Sequence, residues 1–407
     1  MDQQEQAFLS AALGMGDERL ERRLLVGFHL VRDCCRIADD PSWVPRVRVA
    51  REALTLALAN GTFAPGDLEV PALADLLRAL DSEKPNRASV YAALVSYIHA
   101  LYREASFPAA LAAHDVLEQL WTPECPIRDR LEAAYFQGFM QLRAQSAREV
   151  SKFSPILLAL RARAAGEGEF IALAGVIHHA RTMIMGNLPL ALREGEKRLR
   201  QLHRHPSLWA EGNYLHSMAA THGRAGRPDE TLRIARSLLD DRYSSFTVFG
   251  ALNLIGVAFT DLGDLEAARN AFELTLLAPT ALLRRMAALG LMDIHARRME
   301  RRAFEQIYRY LINQPFAVDG RIHFFQVAGR GWARFGDPVR ARASFDEAYR
   351  IARDCGFGYE IFETEELIDK LPDPPRLAHA SDIAPEVAAH VGAMRDEHAD
   401  EIAACLA

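Results

Sequence analysis

Residues 249–282 spell out two helices joined by a tight turn, and the same spelling returns along the chain. Leu252, Ile255, Gly256 and Phe259 share one face of a first helix, Leu262-Gly263-Asp264 makes the turn, Ala268 and Phe272 face back from a second helix, and Pro279 stands near its end. Gly256 removes a side chain where the two helices cross most closely. Gly263 tolerates the positive φ of a tight turn, and Asp264 stands where an N-cap accepts a backbone N–H. Ala268 leaves room for a second close crossing, whereas Leu252, Phe259 and Phe272 supply bulk. One such hairpin cannot bury its apolar faces alone, so it has to stack on others.

Those others are present. A second good copy runs through Phe325, Ala328, Gly329, Trp332, Gly336-Asp337-Pro338, Ala341, Phe345 and Ala348, with Pro338 in the first turn, where its missing N–H costs nothing. Between the two, Met286, Leu289 and Gly290 open a degenerate copy in which Arg297-Arg298 replaces the Gly-Asp turn. Upstream, Leu215, Met218 and Ala219 lead to Gly226-Arg227-Pro228 and Ala235, and Gly175 and His179 lead to Met185-Gly186-Asn187 and Ala191. Weaker copies centre on Gly138 and on Ile98, where Ala105-Ser106-Phe107-Pro108 makes the turn. The equivalent positions fall at 98, 138, 179, 219, 256, 290 and 329, at intervals of 34 to 41. Segments alternating β-branched or aromatic with polar residues are almost absent, so the chain is expected to be all-α.

The hairpin at 249–282 resembles a tetratricopeptide repeat (TPR), and the resemblance extends over about residues 89–355, fading toward the N-terminus. It implies an α-solenoid of TPR-like helix-turn-helix repeats forming a right-handed superhelix, with the first helices lining a concave groove. A regular array of that family repeats every 34 residues. The longer units of this chain also resemble the helical-repeat sensor regions of MalT-like bacterial transcription regulators. The phosphate loop of that family, G-x-x-x-x-G-K-[ST], does not occur, and no terminal helix-turn-helix is evident.

Three regions are expected. Residues 1–88 hold helix-like stretches of degenerate repeats or a cap, ending at the polar run 81–86; residues 89–370 form the TPR-like array; and residues 371–407 begin with Leu371-Pro372-Asp373-Pro374-Pro375 and finish in a helix that caps the array or docks elsewhere. Across its 407 residues the chain is 50% hydrophobic and 25% charged, enough to bury a core. Its net charge of −6 disfavours direct binding of nucleic acid. Five cysteines spread over the whole length are no disulfide framework. The opening Met1-Asp2-Gln3-Gln4-Glu5-Gln6 lacks the positive charge and apolar run of a secretory signal, and the longest clean apolar stretch, 170–177, is short of the ~18 residues that span a membrane. A cytoplasmic protein without membrane contact is the expectation.

Catalytic and metal signatures reduce to decoys. Gly329-Arg330-Gly331 follows no strand and is explained by the repeat. His178-His179 and His203-Arg204-His205 point to different helix faces, and Cys34-Cys35 lacks the spacer of a redox or zinc motif. Glu386 and His390 share a helix face as a solvated pair. No G-x-S-x-G elbow is found, and no cofactor or metal is called for. What remains is the outward stripe of the first helices: His99, Tyr102, Arg103, Tyr135, Phe139, Arg143, Asn213, His216, Arg224, Asn253, Gln326 and Arg330. Asparagine and glutamine bridge backbone groups, aromatics bury side chains and arginines pair with carboxylates, a mixture suited to a peptide. Arg330 is expected to meet an acidic group and Asn253 a peptide backbone. The Lys and Asn constellation by which some chaperone-binding members hold a terminal carboxylate is not reproduced. Phe136, Phe139, Val176 and Met183 make one stretch of the stripe more apolar and suggest a pocket. The leading reading is a non-enzymatic scaffold or adaptor for a protein segment or peptide. The alternative is a regulator sensing a small-molecule or peptide effector, and the third is an enzyme with a site between the N-terminal helices and the array.

Overall fold

The computed structural model describes Phe8 and residues 18–40, 45, 47–63, 67–82, 85–144, 154–202, 207–370 and 383–406. Among them are twenty helices and no strand, as the scarcity of alternating segments predicts. The chain divides into two compact units: Met1–Ala144 with Asn313–Ala317, and Gln145–Ile312 with Val318–Ala407.

Unit 1 contains α1 (Glu18–Asp39), α2 (Val47–Ala59), α3 (Glu69–Leu80), α4 (Arg87–Arg103), α5 (Phe107–Leu120) and α6 (Ile127–Ala144). Helix α3 packs on α4 and α1 on α5 within this unit. Arg87 at the start of α4 donates to the carbonyls of Ile37 and Ala38 at 2.9 and 2.8 Å, closing the C-terminus of α1. Beneath it, Arg23 donates to the buried Glu69 at 2.6 Å and lies 3.7 Å from the buried Glu104. Burial pushes the Glu69 carboxyl up to about 7 even with Arg23 beside it.

Unit 2 begins with α7 (Ser154–Ala165), which packs on α8, and continues as five helical hairpins. These are α8 (Gly168–Ile184) with α9 (Leu188–Gln201), α10 (Leu208–Arg224) with α11 (Pro228–Ser237), α12 (Ser245–Leu262) with α13 (Leu265–Thr275), α14 (Ala281–Arg297) with α15 (Arg301–Leu311), and α16 (Val318–Arg334) with α17 (Pro338–Cys355). Each first helix touches the first helix of the next hairpin. Three helices follow: α18 (Gly358–Asp369), α19 (Ala384–Glu397) and α20 (Ala399–Leu406). By length and composition α12 is apolar enough to cross a membrane, and half of it is buried in the packing between hairpins.

One backbone conformation sets the phase of every hairpin. One or two residues past the end of each first helix a residue takes positive φ, as at Gly263 (84°) and Gly336 (74°), and Asp264 and Asp337 then cap the following helix through the N–H of Ala267 and Arg340 at 3.0 Å. In the degenerate copy α14 runs through Arg297, so Arg297-Arg298 is not the turn. Met299 takes the left-handed position (φ 60°), as Ala105 does in unit 1 (φ 61°). Counted back from these residues, Ile98, His179, Ala219, Gly256 and Gly329 each lie seven positions earlier, as the repeat register requires, whereas Gly290 lies nine before Met299. Gly290 is therefore not the counterpart of Gly256. The left-handed residues Gly226, Gly263, Met299 and Gly336 recur at intervals of 37, 36 and 37, and the 34-residue spacing read between 256 and 290 disappears.

Gly290 has a separate task. The Phe272 ring of α13 lies between two first helices, and a Cβ on Gly256 would come within 2.6 Å of it and one on Gly290 within 2.4 Å. Two missing side chains thus make the slot for one aromatic ring. The expected C-terminal helix docks on the second helices: Val387, Val391 and Ile402 join the core of α12 and α13, and Arg395 reaches the buried Glu273 at 3.2 Å. Residues 371–382, read as a proline-rich linker, lie outside the described residues.

A left-handed residue with a Cβ costs about 1–2 kcal/mol relative to its right-handed form, a cost that glycine avoids. Met299→Gly should therefore raise the unfolding free energy of unit 2 by about 1 kcal/mol, seen as a higher urea midpoint, whereas Gly336→Ala should lower it.

Candidate functional site

Because turn and helix phase are locked together, residues ten, six and two positions before the left-handed residue share one face of each first helix. This gives His216, Ala220 and Arg224 on α10, Asn253, Val257 and Asp261 on α12, Leu289, Asp293 and Arg297 on α14, and Gln326, Arg330 and Arg334 on α16.

The centre of this face is Asp293, a buried carboxylate met by three guanidiniums. Arg297 Nε donates to Oδ2 at 2.8 Å, and its Nη1 also donates to the Thr260 carbonyl of α12 at 3.1 Å. Arg330 Nε and Arg334 Nη1 each stand 3.7 Å from Oδ1. Burial pushes the Asp293 carboxyl up, but the three positive neighbours more than offset this and hold it far below the usual carboxylate range. His323, on the same helix as Arg330, is kept neutral by burial and by the Arg330 charge.

Helix α18 lies across this face. Gln326 Nε2 donates to Thr364 Oγ1 at 2.9 Å and to Glu363 Oε2 at 3.3 Å. At the other end Arg224 Nη1 pairs with the buried Glu360 at 2.7 Å and stacks over the Tyr359 ring, whose hydroxyl donates to the Arg224 carbonyl at 3.2 Å. The N-terminus of α18 also presses on the turn after α8, where a Cβ on Gly358 would lie 2.7 Å from the Met185 carbonyl oxygen. One short helix thereby touches both the first and the last hairpin of unit 2.

The stripe read from the sequence divides between the two units. In unit 1, His99 packs at a tilt against Phe136 with ring centroids 3.9 Å apart, Tyr102 packs edge-on to Phe107 and Phe136, and Tyr135 packs edge-on to Phe136 and Phe139. Tyr102 and Tyr135 are buried, Phe139 and Arg143 half-buried, and Arg103 exposed. Burial brings His99 down to about 3, so it stays neutral. In unit 2, Asn213 donates to the Trp209 carbonyl of its own helix at 2.8 Å. His216 fills the space left by Gly250, and Asn253 is half-buried with an Oδ1 that accepts no hydrogen bond. Arg224 and Gln326 engage α18, and the acid beside Arg330 is Asp293 of the chain itself. Of the apolar stretch, Phe136 and Phe139 belong to unit 1, and the buried Val176 and Met183 to unit 2.

Asp293, Arg297, Arg334, Glu360 and Thr364 escaped the sequence reading. The first two sit on the copy whose turn is Met299, and the last two on a helix outside the repeat pattern. Among the decoys, His179 bonds Thr221 Oγ1 at 2.9 Å, Cys34 and Cys35 are buried and in no disulfide, and Glu386 pairs with Arg236 at 2.6 Å rather than with His390. His203 and His205 lie outside the described residues. No gathering of three His, Cys, Asp or Glu side chains suited to a metal is found among the described residues. The chain matches no protein-family model, and no curated protein is similar to it in sequence.

Removing Asp293 would leave three guanidiniums facing one another. Asp293→Ala should destabilise unit 2 by about 3–5 kcal/mol, against about 1 kcal/mol for Gln326→Ala, in urea titrations followed by circular dichroism. A pH effect follows from His179, which burial lowers to about 4. Below about pH 6.5 the unfolded chain takes up a proton there that the folded chain refuses, so this stability is complete above 6.5 and lost as pH falls toward 4. Melting temperature should drop over that range, and drop less in His179→Gln.

Proposed function

We propose that this chain is a non-enzymatic helical-repeat scaffold, a TPR-like α-solenoid, whose first-helix face in unit 2 receives an acidic helical segment of a protein partner. The observation that carries this reading is α18. It brings Glu360, Glu363, Glu365, Glu366 and Asp369 with no basic residue, and it is held on that face by Arg224 and Gln326. The surface therefore already accepts a helix of the proposed chemistry from its own chain, as in helix-in-groove recognition. A second reading is favoured by the reach of α18 from the first hairpin to the last. An anionic effector competing for Arg224 would release that tie, which is the behaviour of a ligand-sensing regulator of the MalT-like kind.

A labelled peptide of residues 357–370 tests the scaffold reading. Glu360→Ala combined with Thr364→Ala loosens the resident helix, and this variant should capture the peptide at least about tenfold more tightly than the wild type, a gain of about 1.4 kcal/mol. Adding Arg224→Ala should abolish the gain. Equal and negligible capture by wild type and loosened variant, with unchanged circular dichroism, sinks the reading.

A further inference from the structure

We propose that Glu69 is a proton-operated latch of unit 1: its neutral carboxyl lets α1, α3 and the end of α4 close around Arg23, and loss of the proton loosens α3 from that junction. Glu69 stands in the first turn of α3 and is buried. Its Oε2 accepts from Arg23 Nε of α1 at 2.6 Å, and its Oε1 is buried and accepts no hydrogen bond. Arg23 is the one cation facing Glu69 among the described residues, and it is shared. Asp67, just before α3, and Glu104, just after α4, lie 3.6 and 3.7 Å from the same guanidinium and turn their charges on Glu69 as well. From α4 the uncharged phenol of Tyr97 faces the carboxyl. Helix α2 brings no charge to it, and its Arg51 pairs instead with Asp81 at the other end of α3.

A carboxylate cut off from water is stabilised only by its neighbours, and here a shared guanidinium works against two carboxylates and the lost hydration. The balance falls against the charge, and the Glu69 carboxyl rises from its ordinary 4.5 to about 7. A carboxyl raised by folding withdraws stability as it ionises: its contribution is whole below about 4.5 and is lost as pH climbs through 7. His29, His99 and His114 of the same unit act in the opposite sense, because burial lowers all three and the fold holds them neutral. The pH profile of unit 1 therefore mixes both effects, and a variant that fixes residue 69 in the neutral form separates them.

Hydrogen exchange of the full chain, read by mass spectrometry on peptides covering residues 69–80 and corrected for the intrinsic rate at each pH, tests the latch in wild type and in Glu69→Gln. Glutamine copies the neutral carboxyl and leaves the histidines unchanged. Between pH 5.5 and 8 the protection of α3 in the wild type should fall by at least about tenfold relative to that in Glu69→Gln, and at pH 8 the variant should be the better protected of the two. Parallel profiles, or a variant less protected than wild type at pH 8, overturn the proposal. If Glu69→Gln does not fold, Glu104→Gln decides. It removes one of the two carboxylates facing Glu69, so protection should fall at least about threefold less over the same range than in the wild type, and an equal fall overturns the proposal.

Discussion

In unit 2 a single residue held at positive φ stands one or two positions past the end of each first helix, and the side-chain arrangement of the hairpins follows from it. The conformation stops the helix, turns the chain within two residues and sets where the next helix is capped, so the phase of both helices is fixed relative to that residue. Three rows counted back from it, ten, six and two positions away, then fall on one side of four successive helices. Asp293 comes beside Arg330, and Arg297 beside Arg334, because each pair occupies the same row in adjacent hairpins. Met299 meets the same demand at a cost that glycine elsewhere avoids.

Within that frame the polar groups of the first-helix face divide into two kinds. Arg224 with Glu360, and Gln326 with Thr364, are short contacts that hold α18. The Asp293 cluster joins α14, α16 and the end of α12 through charges held in a place where water is scarce. Charged groups in such surroundings interact far more strongly than on the surface, with each other or with an incoming ion. The first kind explains how a helix is seated on this face, and the second ties the last two hairpins to each other and to the end of α12.

The helical class, the two best hairpins and most of the register were legible because they depend on local rules. A turn glycine followed by aspartate, and small residues at close crossings, are written in single letters. The degenerate copy was misread because its left-handed residue is a methionine, which carries no sequence signal for positive φ. Gly290, needed to seat Phe272 from the preceding hairpin, looked like the missing landmark. That slip of two positions hid Asp293 and Arg297. Helix α18 was illegible as a ligand of the array for another reason: its partners Arg224 and Gln326 lie 136 and 38 residues before Glu360 and Thr364, and no local pattern encodes contacts so distant.

The two C-terminal attachments grip different helices. Helix α18 meets first helices and the turn after α8, whereas α19 and α20 bury Val387, Val391 and Ile402 against the core of α12 and α13, where Glu273 bridges Arg269 at 2.6 Å and Arg395 at 3.2 Å. Between these two faces the rigid connection is aromatic: Phe272 is wedged against Gly256 and Gly290, Phe345 against Gly329, and Phe304 against Gly331. A ring seated against a glycine has no flexible side chain to absorb a shift, so a displacement of one first helix is passed to the second helix that holds the ring. Phe272 therefore joins α12, α13 and α14 to the same core that Val387 and Val391 of α19 complete.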